Sequence, residues 1–359
     1  MRIEVDCERI RRNAEALVNF CGEHGIEVVG VSKCVCGEPE IVRAMLAGGC
    51  TMIAESRLDN VRRIRDAGID ADVLMLRLPA LSEIDEVLAL TQVSLVSEER
   101  TLRALSAAAV RQGRTHRVLV IIESGDRREG VMPEDAASFC RLVLELPSLE
   151  LEGVASSLNC LCGVLPTPEN QRAFADVVAR LEAELGIRFR IVSGGHTGNL
   201  HLVMEGAEPE RVNQLRVGEA ILFGTDVTTG TRLPTPYIDT FKVYAEVIEV
   251  KDKPSAPEGE CGIDAFMRIH EWPDLGIRRR AILALGEIDV NVPFIRPVRR
   301  DVSIVNASSD HLVVDVTDAD PPVEMGDELE FDAEYTAIAY GWSSRCATRV
   351  VRPMTAAPR

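Results

Sequence analysis

Three short segments carry side chains that could do chemistry together. The first is EVVGVSKCVC at 27–36, where an apolar, β-branched run ends in Ser32 and Lys33. A lysine at the end of an apolar strand must find water, a partner or a ligand for its charge. As a free amine it can also condense with a carbonyl group. The second is SGGHTG at 193–198, where Ser193, Gly194, Gly195 and Thr197 offer hydroxyls and backbone N–H groups free to turn toward a phosphate. The third is NQLRVGEA at 213–220, with Arg216 and then Gly218 and Glu219 ahead of an apolar stretch. Each has a plain alternative. The lysine stem can pack while its amine snorkels to water, and glycine at a strand–helix turn can serve geometry alone.

These segments need a scaffold. Apolar runs that read as buried strands recur at 28–32, 52–55, 73–77, 93–96, 117–123, 151–156, 189–193 and 213–216. Amphipathic stretches at 40–47, 57–67, 97–112, 133–146 and 168–185 lie between them. This alternation predicts a (β/α)8 TIM barrel over residues 1–230. A doubly wound parallel sheet is the alternative, because periodicity does not show closure. In a barrel, the residues just past each strand share one rim. That rule gathers Lys33, Glu55, Arg77, ESGDRREG at 123–130, SSLNC at 156–160, SGGHTG and LRVGE. On this rim Glu55 and Arg77 read either as ion-pair partners or as ligand contacts. His196 reads as a cap or a catalytic group, and Asn159 as a cofactor contact or a loop bond.

Beyond Gly224 the texture changes. A Gly-, Thr- and Pro-rich linker at 229–236 leads into alternating stretches at 241–250, 280–285, 302–304, 311–316, 328–331 and 346–351. Without long helical patterns, residues 231–359 are expected to form a smaller C-terminal all-β domain. Residues 1–7 read as a strand of either the barrel or this domain, and 353–359 as a frayed end.

Composition sets further bounds. The chain has 359 residues, is 46% hydrophobic, and opens on MRIEVD without a signal-peptide pattern. It contains no apolar run of membrane-spanning length. A soluble, cytoplasmic protein is expected. The net charge of −17 argues against nucleic-acid and anionic-membrane partners. The ten cysteines are expected to be free thiols. Cys34 with Cys36, and Cys160 with Cys162, leave one residue between thiols where structural zinc usually has two to four. No metal is expected, and the pairs read as small packing residues or redox-sensitive thiols.

An amine after the first strand, with anion cradles after the last two, matches the place where barrels bind phosphate. That arrangement suggests a phosphorylated aldehyde held as a Schiff base on Lys33, namely pyridoxal phosphate.

EVVGVSKCVCGEPEI, IESGDRREGV, SLNCLCGVLPTPEN, VSGGHTGNL, NQLRVGEAILFG and ASSDHLVVDVTDA together resemble the alanine racemase superfamily, in particular its alanine/ornithine racemase-like branch. The resemblance spans nearly the whole chain. It implies that Lys33 binds pyridoxal phosphate and acts as one base, and that Arg216 faces the pyridine nitrogen. A guanidinium can only donate there, which leaves that nitrogen unprotonated. Thr197, Gly218 and Glu219 fall where the family holds phosphate. Arg128 matches an arginine near the cofactor hydroxyl and the substrate carboxylate, with Arg127 as its alternative. Ser157 stands where alanine racemases have a ring-stacking histidine.

Racemisation needs an acid/base on each face of a planar carbanion. In the family the second is a tyrosine from the partner subunit's β domain. The corresponding GECGIDAFM has none. Asp264 comes nearest by position, as an acid/base if burial raises its pKa or as a turn aspartate; Tyr335 and Tyr340 are further candidates. The resemblance implies a homodimeric amino-acid racemase acting on ornithine or another basic amino acid, whose side chain Asp264 or Glu260 could pair with. A lyase on the same cofactor and a non-catalytic pyridoxal phosphate carrier are the alternatives.

Overall fold

The computed structural model describes residues 1–209, 211–226 and 229–354. Residues 355–359, most of the tail expected to fray, lie outside the described residues. Two compact units are formed: Cys7–Ile238, and Met1–Asp6 together with Asp239–Arg352. The first unit thus runs eight residues past the change in texture at 230.

The chain opens with β1 (Arg2–Asp6) and α1 (Cys7–Glu23). Eight strands then follow: β2 (Glu27–Val31), β3 (Ile53–Glu55), β4 (Val73–Met75), β5 (Val93–Val96), β6 (His116–Ile122), β7 (Leu149–Ser156), β8 (Ile191–His196) and β9 (Gln214–Val217). They pair in parallel and in chain order, and β9 returns to β2 to close a barrel. The doubly wound sheet is thereby excluded. Between them run α2 (Pro39–Ala47), α3 (Leu58–Asp66), α4 (Ile84–Leu90), α5 (Glu99–Gln112), α6 (Ala136–Glu145), α7 (Pro168–Leu185) and α8 (Leu200–Met204). After β9 comes the short α9 (Glu219–Phe223).

Local chemistry sets these boundaries. At α7, the Thr167 hydroxyl accepts from the Asn170 N–H, and the Asn170 side chain accepts from the Thr167 N–H at 2.8 Å. Pro168 then opens the helix, and Gly186, at φ +65°, ends it. Inside the barrel, Val29 and Val31, Val93 and Leu95, and Leu119 and Ile121 recur at i and i+2 in one core, which is the spacing that puts alternate strand residues on one face. Val29 pairs in register with Arg216 of β9. Arg216 therefore points into the barrel above that apolar core.

The first unit ends with a two-residue ribbon of β10 (Thr225–Asp226) and β11 (Thr231–Arg232), and in the second unit β12 (Phe241–Pro254) is the spine. The remaining strands are β13 (Ile277–Leu283), β14 (Ile295–Pro297), β15 (Ser303–Ala307), β16 (Leu312–Asp315), β17 (Glu328–Ala333) and β18 (Thr348–Arg352). Their order is β14-β17-β12-β13-β16-β15, and β1 pairs with β12 and β18. One helix, α10 (Tyr335–Ser343), departs from the expected all-β content. Its buried Trp342 meets Phe241 edge to face at 5.8 Å. Among the described residues, no helix is long and apolar enough to cross a membrane.

Candidate active site

Lys33 sits two residues beyond Val31, in a 3-10 turn over Lys33–Val35, and is exposed. The turn is anchored from below. Buried Ser32 donates its hydroxyl to Glu55 Oε1 at 2.8 Å. Glu55 also accepts from the Ser56 N–H and from Asn60 Nδ2, both at 3.0 Å. Burial pushes its carboxyl up, against these hydrogen bonds. Glu55 is thus neither an ion-pair partner nor a mouth residue; it ties β3 to the turn that carries Lys33. Arg77 takes its ion-pair alternative, with Glu83 at 2.8 Å.

Arg216 is 5% exposed and satisfied by neutral oxygens alone. It donates to the Ser156 carbonyl at 2.6 Å, to the Ser193 carbonyl at 3.3 Å and to the Ser193 hydroxyl. Burial lowers its pKa to about 10, so it stays a cation at neutral pH. A buried cation matched only to dipoles is a strong local source of positive potential.

The two loops flanking Arg216 close against each other. A register shift between Ser193 and Gly195 bulges the end of β8. Gly195 has φ +158°, and a Cβ there would lie 2.0 Å from Asn199 Oδ1. Asn199 Oδ1 instead accepts the His196 N–H at 3.2 Å. Thr197, nearly buried, accepts the Ala220 N–H on its hydroxyl at 3.3 Å, which joins the β8 loop to α9. Gly218 packs on β2, where a Cβ would stand 3.0 Å from Val31. Gly194 is buried behind this loop, and Glu219 is the first residue of α9.

Across the mouth, the β6 loop brings Arg128 within 3.4 Å of the Ser157 hydroxyl, while Glu129 holds its guanidinium. Arg127 turns away toward Met132. Asn159 adopts φ +57°, and its amide lies near Gly198 of the β8 loop. His196 Nδ1 accepts the Gly198 N–H at 3.1 Å, which is the expected cap. Its Nε2 then carries the hydrogen and points at the Leu158 carbonyl, 2.6 Å away, and at Cys160 Sγ, 3.6 Å away. The sequence reading missed this Cys160–His196 approach. β7 and β8 pair at Ala155 and Ser193, and the place of both residues just past that pair on adjacent strands was the available signal.

In the β domain, Asp264 Oδ1 accepts the Phe266 and Arg268 N–H groups at 2.8 and 2.9 Å, and Oδ2 meets His270 Nε2 at 2.7 Å. Those bonds hold its carboxyl below the ordinary range. The acid role expected of Asp264 required burial to raise its pKa; the backbone donors and His270 do the opposite. Tyr340 is mainly exposed, and Tyr335 opens α10.

Residues 5–226 match the family model described as "Alanine racemase, N-terminal domain". The chain belongs to this family. It is 36% identical over 352 residues to a lysine racemase of Thermotoga maritima, with 98% of each chain covered. It is 33% identical over 344 residues to an ornithine racemase of Acetoanaerobium sticklandii, covering 96% of this chain and 97% of that one. The fold superposes on the crystal structure of an alanine racemase from a D-cycloserine-producing Streptomyces lavendulae with a TM-score of 0.77 at 18% identity, covering 98% of this chain and 96% of that one.

The donor set fits pyridoxal phosphate by its chemistry. Lys33 offers an accessible amine, Arg216 a buried donor that stays protonated at neutral pH, and the tightly closed β8 and β9 loops backbone N–H groups.

Proposed function

We infer that the protein is an amino-acid racemase dependent on pyridoxal phosphate, acting on a basic amino acid, ornithine or lysine. The observation that carries the cofactor assignment is Arg216, a buried cation satisfied only by neutral oxygens, on the strand paired with the one that leads to the exposed Lys33. Full-length similarity to an ornithine racemase and a lysine racemase supports the reaction and the substrate class.

When bound, pyridoxal phosphate makes the α-proton of an attached amino acid acidic by drawing electrons from that carbon. The chain's own residues do the rest. Lys33 Nζ would hold the cofactor aldehyde, and its free amine would take or return the α-proton on one face. Arg216, a cation that can only donate, would face the ring nitrogen without protonating it, and so moderate electron withdrawal and restrain side reactions. N–H groups at Gly194, Gly195, Gly218 and Glu219, with the hydroxyls of Ser193 and Thr197, would hold the phosphate, and Asn159 would be a further cofactor contact. Arg128, cationic and beside Ser157, orients the substrate carboxylate.

The opposite face is served by a second copy of the chain, whose Asp264 carboxylate orients His270 as the proton-carrying group. The 2.7 Å Asp264–His270 contact supports this dyad. The working unit is then a homodimer with a shared site. Ten free cysteines fit the reducing cytoplasm.

Lys33→Ala tests the reading. The variant should lose the visible absorption of a lysine-bound cofactor and all formation of D-ornithine or D-lysine; retention of both overturns it. His270→Gln tests the dyad. It should slow turnover about 100-fold and confine solvent exchange of the α-hydrogen to one enantiomer. Equal exchange from both enantiomers would assign the second face to another group.

A further inference from the structure

The Cys160 side chain takes no part in the proposed reaction, yet its surroundings are built. The buried Asp126 carboxylate accepts the N–H groups of Cys160, Leu161 and Cys162 at 3.1, 2.8 and 3.0 Å. That pins the loop after β7 and leaves the Cys160 thiol exposed. Sγ then lies 3.6 Å from both His196 Nε2 and the Ser157 hydroxyl, with Arg128 alongside. Donors and a cation converging on sulfur favour the thiolate, the form that attacks electrophiles.

Charges of both signs surround the sulfur, the cations facing it and the carboxylates engaged by other donors. Arg128 and Arg216 face it; Glu129 is tied up by Arg128, and Asp126 by its three N–H donors. Burial opposes ionisation, but hydrogen bonds from His196 and Ser157 and the charge of Arg128 bring the thiol down to about 6.

We propose that Cys160 is a reversible modification site for small disulfides, and that its modification closes the barrel mouth. The Cys160 thiolate attacks one sulfur of a low-molecular-weight disulfide. That disulfide's S–S bond breaks, a mixed disulfide forms on Sγ, and the other half leaves as a thiolate that takes a proton from water. Excess thiol reverses the exchange. The added group sits beside Arg128 and excludes a substrate carboxylate; this consequence rests on the racemase reading, whereas the reactivity of the thiol does not.

Magnitude decides whether the effect is visible. At pH 6.5 a thiol with a pKa near 6 is about three-quarters ionised, against about 1% for an ordinary one. The lower basicity costs about tenfold in nucleophilicity, so the net advantage is about five- to tenfold.

The experiment treats full-length protein loaded with pyridoxal phosphate with limiting iodoacetamide at pH 6.5, followed by peptide mass spectrometry. Cys160 should label five- to tenfold faster than the other exposed thiols, Cys162, Cys261 and Cys346. Its rate should rise with a midpoint near 6, and His196→Ala should move that midpoint upward. Equal labelling of the four thiols, or a Cys160 midpoint near 8.5, overturns the site. In the second arm, oxidised glutathione should abolish D-amino-acid formation, dithiothreitol should restore it, and Cys160→Ser should make activity insensitive. Labelling at Cys160 with undiminished activity overturns the closure. Should the protein not racemise, the labelling arm still decides the thiol.

Discussion

The two ends of the barrel bury charge in opposite ways. At the amino-terminal end of the strands, cations meet carboxylates. Arg117, which follows His116 at the start of β6, pairs with Asp72 and, at 3.0 Å, with Glu152; Arg190 also pairs with Glu152, whose side chain is 1% exposed. Buried His116 meets Ser94 at 2.9 Å. At the carboxyl-terminal end, Arg216 has only dipoles for partners and Lys33 stands in the open. Saturated charge on the floor serves stability, whereas unsaturated charge at the mouth is available to a ligand.

Mutations at the two ends should therefore separate activity from stability. Lys33→Ala should reduce D-enantiomer formation by at least about 1,000-fold while leaving the thermal midpoint near that of the parent, because the side chain is exposed. Arg216→Met should affect both. It strands Ser156 O and Ser193 in the interior, for about 2–3 kcal/mol, and removes the donor proposed to face the cofactor ring; calorimetry and cofactor titration read the two losses. Glu152→Ala should touch stability alone. It should destabilise by about 2 kcal/mol, less than a fully buried pair, because Arg117 keeps Asp72 and Arg190 reaches solvent. Turnover below the midpoint should be unchanged, and a Glu152 variant that folds normally but does not turn over would break the division of labour.

A pH titration sharpens the floor further. Burial lowers the His116 pKa from 6.5 to about 4. The unfolded chain therefore binds a proton that the folded chain refuses between those values. Stability from this group is complete above pH 6.5 and falls as pH drops toward 4, by about 3 kcal/mol in total. His116→Gln should flatten that limb of the denaturation-midpoint curve. An unchanged slope would mean that other groups set it.

The barrel was legible because each of its strands is a short apolar run flanked by a helical pattern. Closure was not, since β9 meets β2 across nearly 190 intervening residues. The helix α10 was hidden because YTAIAYGWS is apolar almost throughout and shows no 3.6-residue stripe. The place of Lys33 just past its strand was readable from position, whereas the reading of Arg216 came from the family resemblance. The orientation of Glu55 was not; it depends on Ala54 facing the barrel core, which turns Glu55 outward to Asn60 of α3. Asp264 carried the right residue type, but its hydrogen-bond saturation depends on how residues 264–270 fold back on themselves.

The most direct test of the account follows L-ornithine and L-lysine separately in deuterated water with the cofactor-loaded protein, reading α-hydrogen loss by NMR and chirality by chromatography. For at least one of them, deuterium should appear at the α-carbon and the two enantiomers should approach equal amounts. A smaller carbonyl product, or retention of the α-hydrogen and of the L configuration in both, would contradict the account.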